Sequence, residues 1–403
     1  MHVIRFLLVF LACCFACSGT APLSLDAFAD CIGYNFAGYD SDCVLQSGEY
    51  SASSTLWIRR SNITVDGAWP WPMLRRAPGF TGDLMRTDSE ANVSWVTVKN
   101  IYFHGNRWNG ATSVSFELNL IGCSYCQVTS NALFIGSPYF SLGIDPSKAQ
   151  AVSYVNFQGN AYSGIYSGGG PECPNPTGWY PAVCLNVTGS YFYSHGVGAI
   201  GFEPKNAQIS YNSFTYNHTD CQYNAPGGQI DLDAGADKVT VFNNTFENGP
   251  SCPNGFWAQG VELHGTNITL RDNTIRYNAG EGIYMEGAQN VAITSTNPPS
   301  YPISNNNQRG SGFPGCGGFP AIRVHSWYGT RATENININN ILAISGHSYG
   351  VEVSSCATSG PPVNYLTIKD NCVAGNLLGG LYLPAAGYPQ TITNNLTSGC
   401  GGY

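Results

Sequence analysis

The chain has 403 residues, a net charge of −8, only 10% charged residues and 48 glycines. Such an acidic, weakly charged chain argues against a nucleic acid or an anionic membrane surface as its partner. The glycines and the 13% aromatic content argue against a helical bundle or a disordered chain and leave an all-β chain rich in turns.

Residues 1–21 read as a secretory signal: Arg5 precedes the apolar run Phe6-Leu-Leu-Val-Phe-Leu-Ala, and the small residues Ser18-Gly-Thr-Ala21 follow. The run is too short to span a membrane, so residues 22–403 are expected to be exported and extracellular. Fifteen cysteines less the three of the leader (Cys13, Cys14, Cys17) leave twelve, an even number that suits disulfides in an oxidising compartment. The local pairs expected are Cys31/Cys43, Cys123/Cys126 and Cys173/Cys184. A redox or zinc reading of Cys123-Ser-Tyr-Cys126 lacks a second CxxC or a flanking His. Sequons at Asn62, Asn92, Asn186, Asn217, Asn243, Asn267 and Asn395 allow a glycoprotein.

A short cap is expected near residues 22–40, because the end of a solenoid must be covered. Cys43–Tyr50, Leu56–Gly67, Val96–Gly105 and Ala151–Gly159 then read as early strands. From Gly198 to Leu383 seven segments share one shape, a small residue followed by apolar–variable–apolar–variable. They begin at Ala199, Gln229, Gly260, Gly282, Ala321, Gly350 and Gly380, and Gly143-Ile-Asp145 and Gly164-Ile-Tyr166 read as earlier members. Alternation with period two means strands with one buried face, here Ile200/Phe202, Ile230/Leu232, Val261/Leu263, Ile283/Met285, Ile322/Val324, Val351/Val353 and Leu381/Leu383. Between them recur turns centred on Asn212, Asn244, Asn273, Asn340, Asn371 and Asn394. Asn tolerates the left-handed conformation that a tight corner needs, and stacked Asn side chains would form a hydrogen-bonded ladder.

Short strands, Asn corners and a repeat of roughly 20–40 residues resemble the pectate-lyase-like superfamily of right-handed parallel β-helix proteins, over residues 40–400. The resemblance implies one solenoid domain over residues 22–403 and, in most members, action on polysaccharides. Long irregular stretches near 168–184, 215–227, 248–258 and 296–320 are expected to wall one face. They and the segment after His325 carry Trp179, Tyr180, Phe256, Trp257, Trp327 and Tyr328, rings suited to stacking on sugars.

The variable positions of the column form two outward lines. One runs Asp145, Tyr166, Gly201, Asp231, Glu262, Tyr284, Arg323, Glu352, Tyr382, and its neighbour Ser147, Gly168, Glu203, Asp233, His264, Glu286, His325, Ser354. Turns about 4.8 Å apart and lines about 6.5–7 Å apart gather these ionisable groups into one patch. Crowded carboxylates raise one another's pKa, and glycoside hydrolysis needs one protonated and one ionised carboxyl group. Asp231, Asp233 and Glu262 are therefore the expected acid/base set, with His264 tuning them. Glu203, Tyr284, Glu286, Arg323, His325, Glu352, Trp257 and Trp327 are expected to bind a polysaccharide or oligosaccharide substrate. No resident cofactor is expected, and a monomer is. The polygalacturonase motifs of this fold are absent in their usual arrangement, Asp231-Leu-Asp233 being a loose echo. The alternative is a polysaccharide lyase or uronate epimerase, with His264 or His325 as base, Tyr284 as proton donor, Arg323 as neutraliser and Ca²⁺ held by Asp231, Asp233 and Glu262. A non-catalytic glycan binder would need the aromatic rings and not the carboxylates.

Overall fold

The computed structural model describes residues 22–33, 42–106, 115–168, 171–173, 183–219, 227–251, 258–306, 318–325, 331–344, 346–354, 361–384, 386–387 and 389–400. These residues wind into a parallel β-helix of three sheets with 13, 11 and 12 strands. The first sheet opens with Asp42–Leu45, the second with Glu49–Ala52 and the third with Leu56–Ile58, and each turn of the coil visits them in that order. Among the described residues the only α-helix is Leu25–Gly33. Its Phe28, Cys31 and Ile32 lie on one face at helical spacing, and all three are buried over the first turn. Cys31 is joined to Cys43 of the first strand, so the expected cap is present and covalently tied. The pairs Cys123–Cys126 and Cys173–Cys184 also form, and Cys372–Cys400 ties the last turns together. No helix of the described residues is long and apolar enough to cross a membrane.

The column of seven segments is the later part of the third sheet. Its inward line, Ile200, Ile230, Val261, Ile283, Ile322 and Val351, is wholly buried, and only Leu381 and Leu383 at the final turn are less so. The second sheet contributes a feature the alternation did not reveal. Phe103, Phe134, Phe157, Phe192, Phe214 and Phe246 stack nearly parallel inside the coil, with ring centroids 4.7–4.9 Å apart. The strand spacing itself sets that interval.

The Asn ladder exists, one residue out of step with the corner. Tyr211, Asn243, Asp272 and Asp370 adopt the left-handed conformation, while Asn340 and Asn394 do so as expected. Asn212, Asn244, Asn273 and Asn371 follow those left-handed residues and turn inward. Asn212 Nδ2 donates to Asn244 Oδ1 at 3.0 Å, and Asn244 Nδ2 to Asn273 Oδ1 at 3.1 Å. The amide also accepts a backbone N–H of the preceding turn and donates to a carbonyl, which satisfies a corner that strands leave unpaired. One earlier assignment is corrected. Gly143, not Asp145, pairs with Tyr166, so Asp145 lies two residues further along; a slip of two keeps the inward/outward alternation and is invisible to it.

A second buried ladder runs along the corner between the second and third sheets. Gln229 Nε2 donates to Asn278 Oδ1 at 2.6 Å, Asn278 Nδ2 to Asn306 Oδ1 at 2.8 Å, and Asn306 Nδ2 to His347 Nε2 at 3.2 Å. His347 Nδ1 then donates to Asn376 Oδ1 at 3.1 Å. Nε2 is thus an acceptor, and the ring is held neutral. Burial pushes its pKa down to about 4.

Two outcomes are expected. Above about pH 6.5 the His347 ring is neutral both folded and unfolded; as pH falls toward 4 the unfolded chain gains a proton that the folded ring refuses. Stability should drop across that window by on the order of 3 kcal/mol from this ring, and melting curves of His347→Gln should show a shallower acid slope than the parent. Asn244→Ala, which removes a buried amide with partners on both sides, should lower stability by about 2–4 kcal/mol in denaturant titrations.

Candidate active site on the third sheet

The strand register confirms the first outward line from Tyr166 onward. Tyr166 pairs with Gly201, Gly201 with Asp231, Asp231 with Glu262, Glu262 with Tyr284, Tyr284 with Arg323, and Arg323 with Glu352. In the second line Glu286 pairs with His325, and His325 with Ser354. The face is not uniformly open. Asp231, Asp233, Glu203, His264 and Glu286 are partly exposed, whereas Tyr284 and Glu262 are buried and Arg323, His325 and Glu352 are each 1% exposed.

The centre is Asp231, Glu262 and His264, which can each present an oxygen or nitrogen within 4.8 Å of the others. His264 Nε2 donates to Glu262 Oε1 at 2.9 Å, and Nδ1 donates to the Glu286 carbonyl at 2.9 Å. With both nitrogens donating, the ring is an imidazolium. Burial opposes that charge, but the Glu262 hydrogen bond and the fields of Glu262, Asp231 and Glu286 outweigh it and raise the pKa to about 9. The second Glu262 oxygen accepts the Gly228 N–H at 3.1 Å. A Cβ on Gly228 would lie 2.7 Å from the Glu262 backbone nitrogen, so glycine is what lets this donor come so near.

Asp231 is treated differently by its surroundings. Its Oδ1 is buried with no hydrogen-bond partner among the described residues. Burial first, then the Glu262 and Asp233 charges, lift its pKa well above the usual carboxylate range, with His264 pulling the other way. The two neighbouring carboxyl groups therefore differ: Glu262 accepts from the His264 imidazolium and the Gly228 N–H, whereas Asp231 Oδ1 accepts from no described residue and burial favours its protonated form. Asp233 and Glu286 are also shifted up, each chiefly by burial. Glu286 Oε2 accepts the Tyr284 hydroxyl at 2.8 Å, and burial followed by the Glu286 charge raises the phenol.

Arg323 and Glu352 lie in a buried ion cluster and not on an open sugar-binding floor. Arg323 Nε donates to Glu281 Oε1 and Nη1 to Glu352 Oε1, both at 2.7 Å, and Nη2 donates to the Gly318 carbonyl. Ser354 Oγ donates to the same Glu352 oxygen at 2.7 Å. His325 Nδ1 donates to the Ser354 carbonyl at 3.0 Å, and burial, with some help from Arg323, lowers its pKa to about 4. Glu281 and Arg331 were missed at the sequence level. Glu281 precedes the small residue that opens its segment, outside the alternation. Arg331 donates from Nη1 to the carbonyls of Ala234 and His264, tying down the rim beside Asp233. Trp257 and Trp327, with Trp179, Tyr180, Phe256 and Tyr328, lie outside the described residues.

The same three groups are the donor set for a cation. Both His264 nitrogens are already committed, so a metal bound there would have to break the Glu262–His264 pair and displace a proton. An oxygen-only set of Asp231, Asp233 and Glu262 suits a hard cation such as Ca²⁺ better.

A family model described as a right-handed β-helix region matches residues 141–309. No curated protein matches the chain. Among solved structures, the A-module of the Azotobacter vinelandii mannuronan C-5 epimerase AlgE6 is similar, at a TM-score of 0.55 and 14% identity over 90% of this chain and 92% of that one. The periplasmic alginate epimerase AlgG is similar at a TM-score of 0.57 and 13% identity, over 94% of this chain and 84% of that one. At such identities the likeness establishes the right-handed parallel β-helix fold, and chemistry has to be argued from the residues.

The Glu281–Arg323–Glu352 cluster generates a stability prediction. Arg323→Met leaves two buried carboxyl groups without their cation and should cost about 3–5 kcal/mol in denaturant unfolding. Adding Glu281→Gln and Glu352→Gln to that variant should recover part of the loss.

Proposed function

We propose that this chain is an exported enzyme acting on a polysaccharide, and that it hydrolyses a glycosidic bond of a neutral glycan. The observation that carries the reading is the contrast between the ladder neighbours Asp231 and Glu262: Asp231 has a buried oxygen with no hydrogen-bond partner among the described residues and a raised pKa, while Glu262 accepts from an imidazolium and a backbone N–H. Asp231 is the general acid that protonates the leaving oxygen. Glu262, which accepts hydrogen bonds from the His264 imidazolium and the Gly228 N–H, meets the positive charge that develops at the anomeric carbon. A separation near 5 Å is that of retaining enzymes. Glu262 then forms the glycosyl bond, and Asp231, now a carboxylate, takes the proton from the incoming water. Asp233, two residues on from Asp231, just past the end of the strand Gly227–Leu232 and about 6.6 Å away, fits the position of a base in an inverting route, so the product anomer tells the two apart. The partly exposed groups Glu203, Asp233 and Glu286 make the floor acidic, which favours an uncharged substrate over a polyuronate. Four disulfides among the described residues support an oxidising compartment.

A second reading, C-5 epimerisation or lysis of a polyuronate, is favoured by the named activity of the two similar structures. It asks for a cation to neutralise the uronate carboxylate. Arg323 is engaged by Glu281 and Glu352, and the His264 imidazolium is engaged by Glu262, so that reading depends on a bound metal ion.

The test is product analysis on neutral and uronate polysaccharides with and without EDTA. New reducing ends without unsaturated-uronate absorbance, insensitive to EDTA, are expected. Asp231→Asn and Glu262→Gln should each lower kcat by about a hundredfold or more. Activity should fall on the alkaline side as Asp231 loses its proton and, near pH 9, as His264 loses the charge that holds Glu262. EDTA-sensitive absorbance or epimerised uronate would transfer the site to the second reading.

A further inference from the structure

The outer edge of the second sheet carries a trough unrelated to the acidic face. It has a volume of about 450 Å³ and is lined by His104, Ile135, Gln158, Tyr193 and Ser194 together with Gly136 and Gly159. Its origin is visible in one line of the coil. From the strand Leu133–Ile135 to the strand Ile303–Ser304, the residue that follows each second-sheet strand takes the left-handed conformation: Gly136, Gly159, Ser194, Tyr216, Asn248, Tyr277 and Asn305, with φ from 52° to 63°. Later turns fill that position with Tyr or Asn, so the backbone does not require glycine there. Nor does packing at Gly159, where an added Cβ would meet nothing within 4 Å. Two successive turns omit a side chain that the same corner accepts elsewhere, and the omission opens the trough.

The lining has a definite chemistry. Tyr193 is 41% exposed, and its ring is flanked by that of Tyr216, centroids 6.2 Å apart. His104 Nδ1 accepts the Asn106 N–H at 3.2 Å, which leaves its proton on Nε2 as a donor. Burial first, and then the Arg75 charge, lower its pKa, so the ring is neutral at neutral pH. Gln158 adds an amide with both a donor and an acceptor, and among the described residues no carboxylate or cationic side chain lines the space. An aromatic face beside neutral donors and acceptors suits a pyranose ring, apolar on its faces and hydroxylated at its edges. The absence of charge from the lining argues against an anionic or cationic ligand.

We propose that this trough is a second carbohydrate-binding site, which holds one or two sugar units of a neutral polysaccharide with Tyr193 as stacking platform and Gln158 and His104 as hydroxyl partners. It lies on a different sheet from Asp231 and Glu262 and needs none of their chemistry, so it stands or falls separately from the hydrolase reading.

The experiment is native affinity electrophoresis in gels cast with dextran, glucomannan, xyloglucan, arabinoxylan or polygalacturonate. All proteins carry Asp231→Asn so that turnover cannot degrade the matrix. Retardation by at least one neutral polysaccharide is expected. Tyr193→Ala should weaken it by about tenfold in apparent affinity. Gly159→Asn, which places in the trough a residue the same corner holds at Asn248 and Asn305, should weaken it likewise while the melting temperature stays within a few degrees of the parent. Retardation unchanged in both variants, retardation by polygalacturonate alone, or none in any gel would overturn the proposal.

Discussion

Everything in this molecule depends on the spacing of parallel strands, about 4.8 Å. In a coil of stacked turns each side chain sits on its counterpart from the turn before, so like meets like at van der Waals distance. For apolar groups this is stabilising, as the six-ring Phe stack shows. For amides it is stabilising too, since each Asn both donates and accepts, and a column of them satisfies itself. For carboxylates the same spacing is unfavourable. A column such as Asp231–Glu262 persists only if something divides its charge. Here that is done by one imidazolium, one backbone N–H and one retained proton.

The same constraint explains what could be read in advance. Period two with a small leading residue is a strong signal, and it located the third-sheet column, its inward line and its register from Tyr166 onward. The Phe stack escaped because its strands are three residues long, too short for alternation to stand out from a chance apolar residue. The slips at Asp145 and at the corner asparagines have a related cause. A pattern fixes which face a residue occupies; where the strand ends and the corner begins is set by backbone conformation, and Tyr and Asp take the left-handed bend as well as Asn does.

Outwardness proved to be a weaker statement than exposure. Arg323, His325 and Glu352 point away from the coil interior as their positions required, yet are buried. Alternation tells only that a side chain leaves the first layer, and carries nothing about chain that lies over it. Glu281 decides the outcome here, since it brings a second carboxylate to Arg323 from outside the repeat. A free guanidinium on this face would have made a uronate the natural ligand; a guanidinium held between two carboxylates removes that attraction and turns the region into a support.

That support bears on the chemistry a few turns away. His325 sits beside the Arg323 cluster and is kept neutral, whereas His264, beside Glu262, is kept charged. Two histidines on one outward line therefore differ by a full charge: burial, helped by Arg323, keeps His325 neutral, whereas at His264 the Glu262 hydrogen bond and neighbouring carboxylates outweigh burial. The positive charge on this face is concentrated at His264, between Glu262 and the Glu286 carbonyl. Removing it would strip Glu262 of one of its two donors and leave the contrast with Asp231 to the Gly228 N–H and to burial. The asymmetry that a two-carboxylate mechanism needs thus rests on three features together, the burial of Asp231, the Gly228 N–H and the His264 imidazolium.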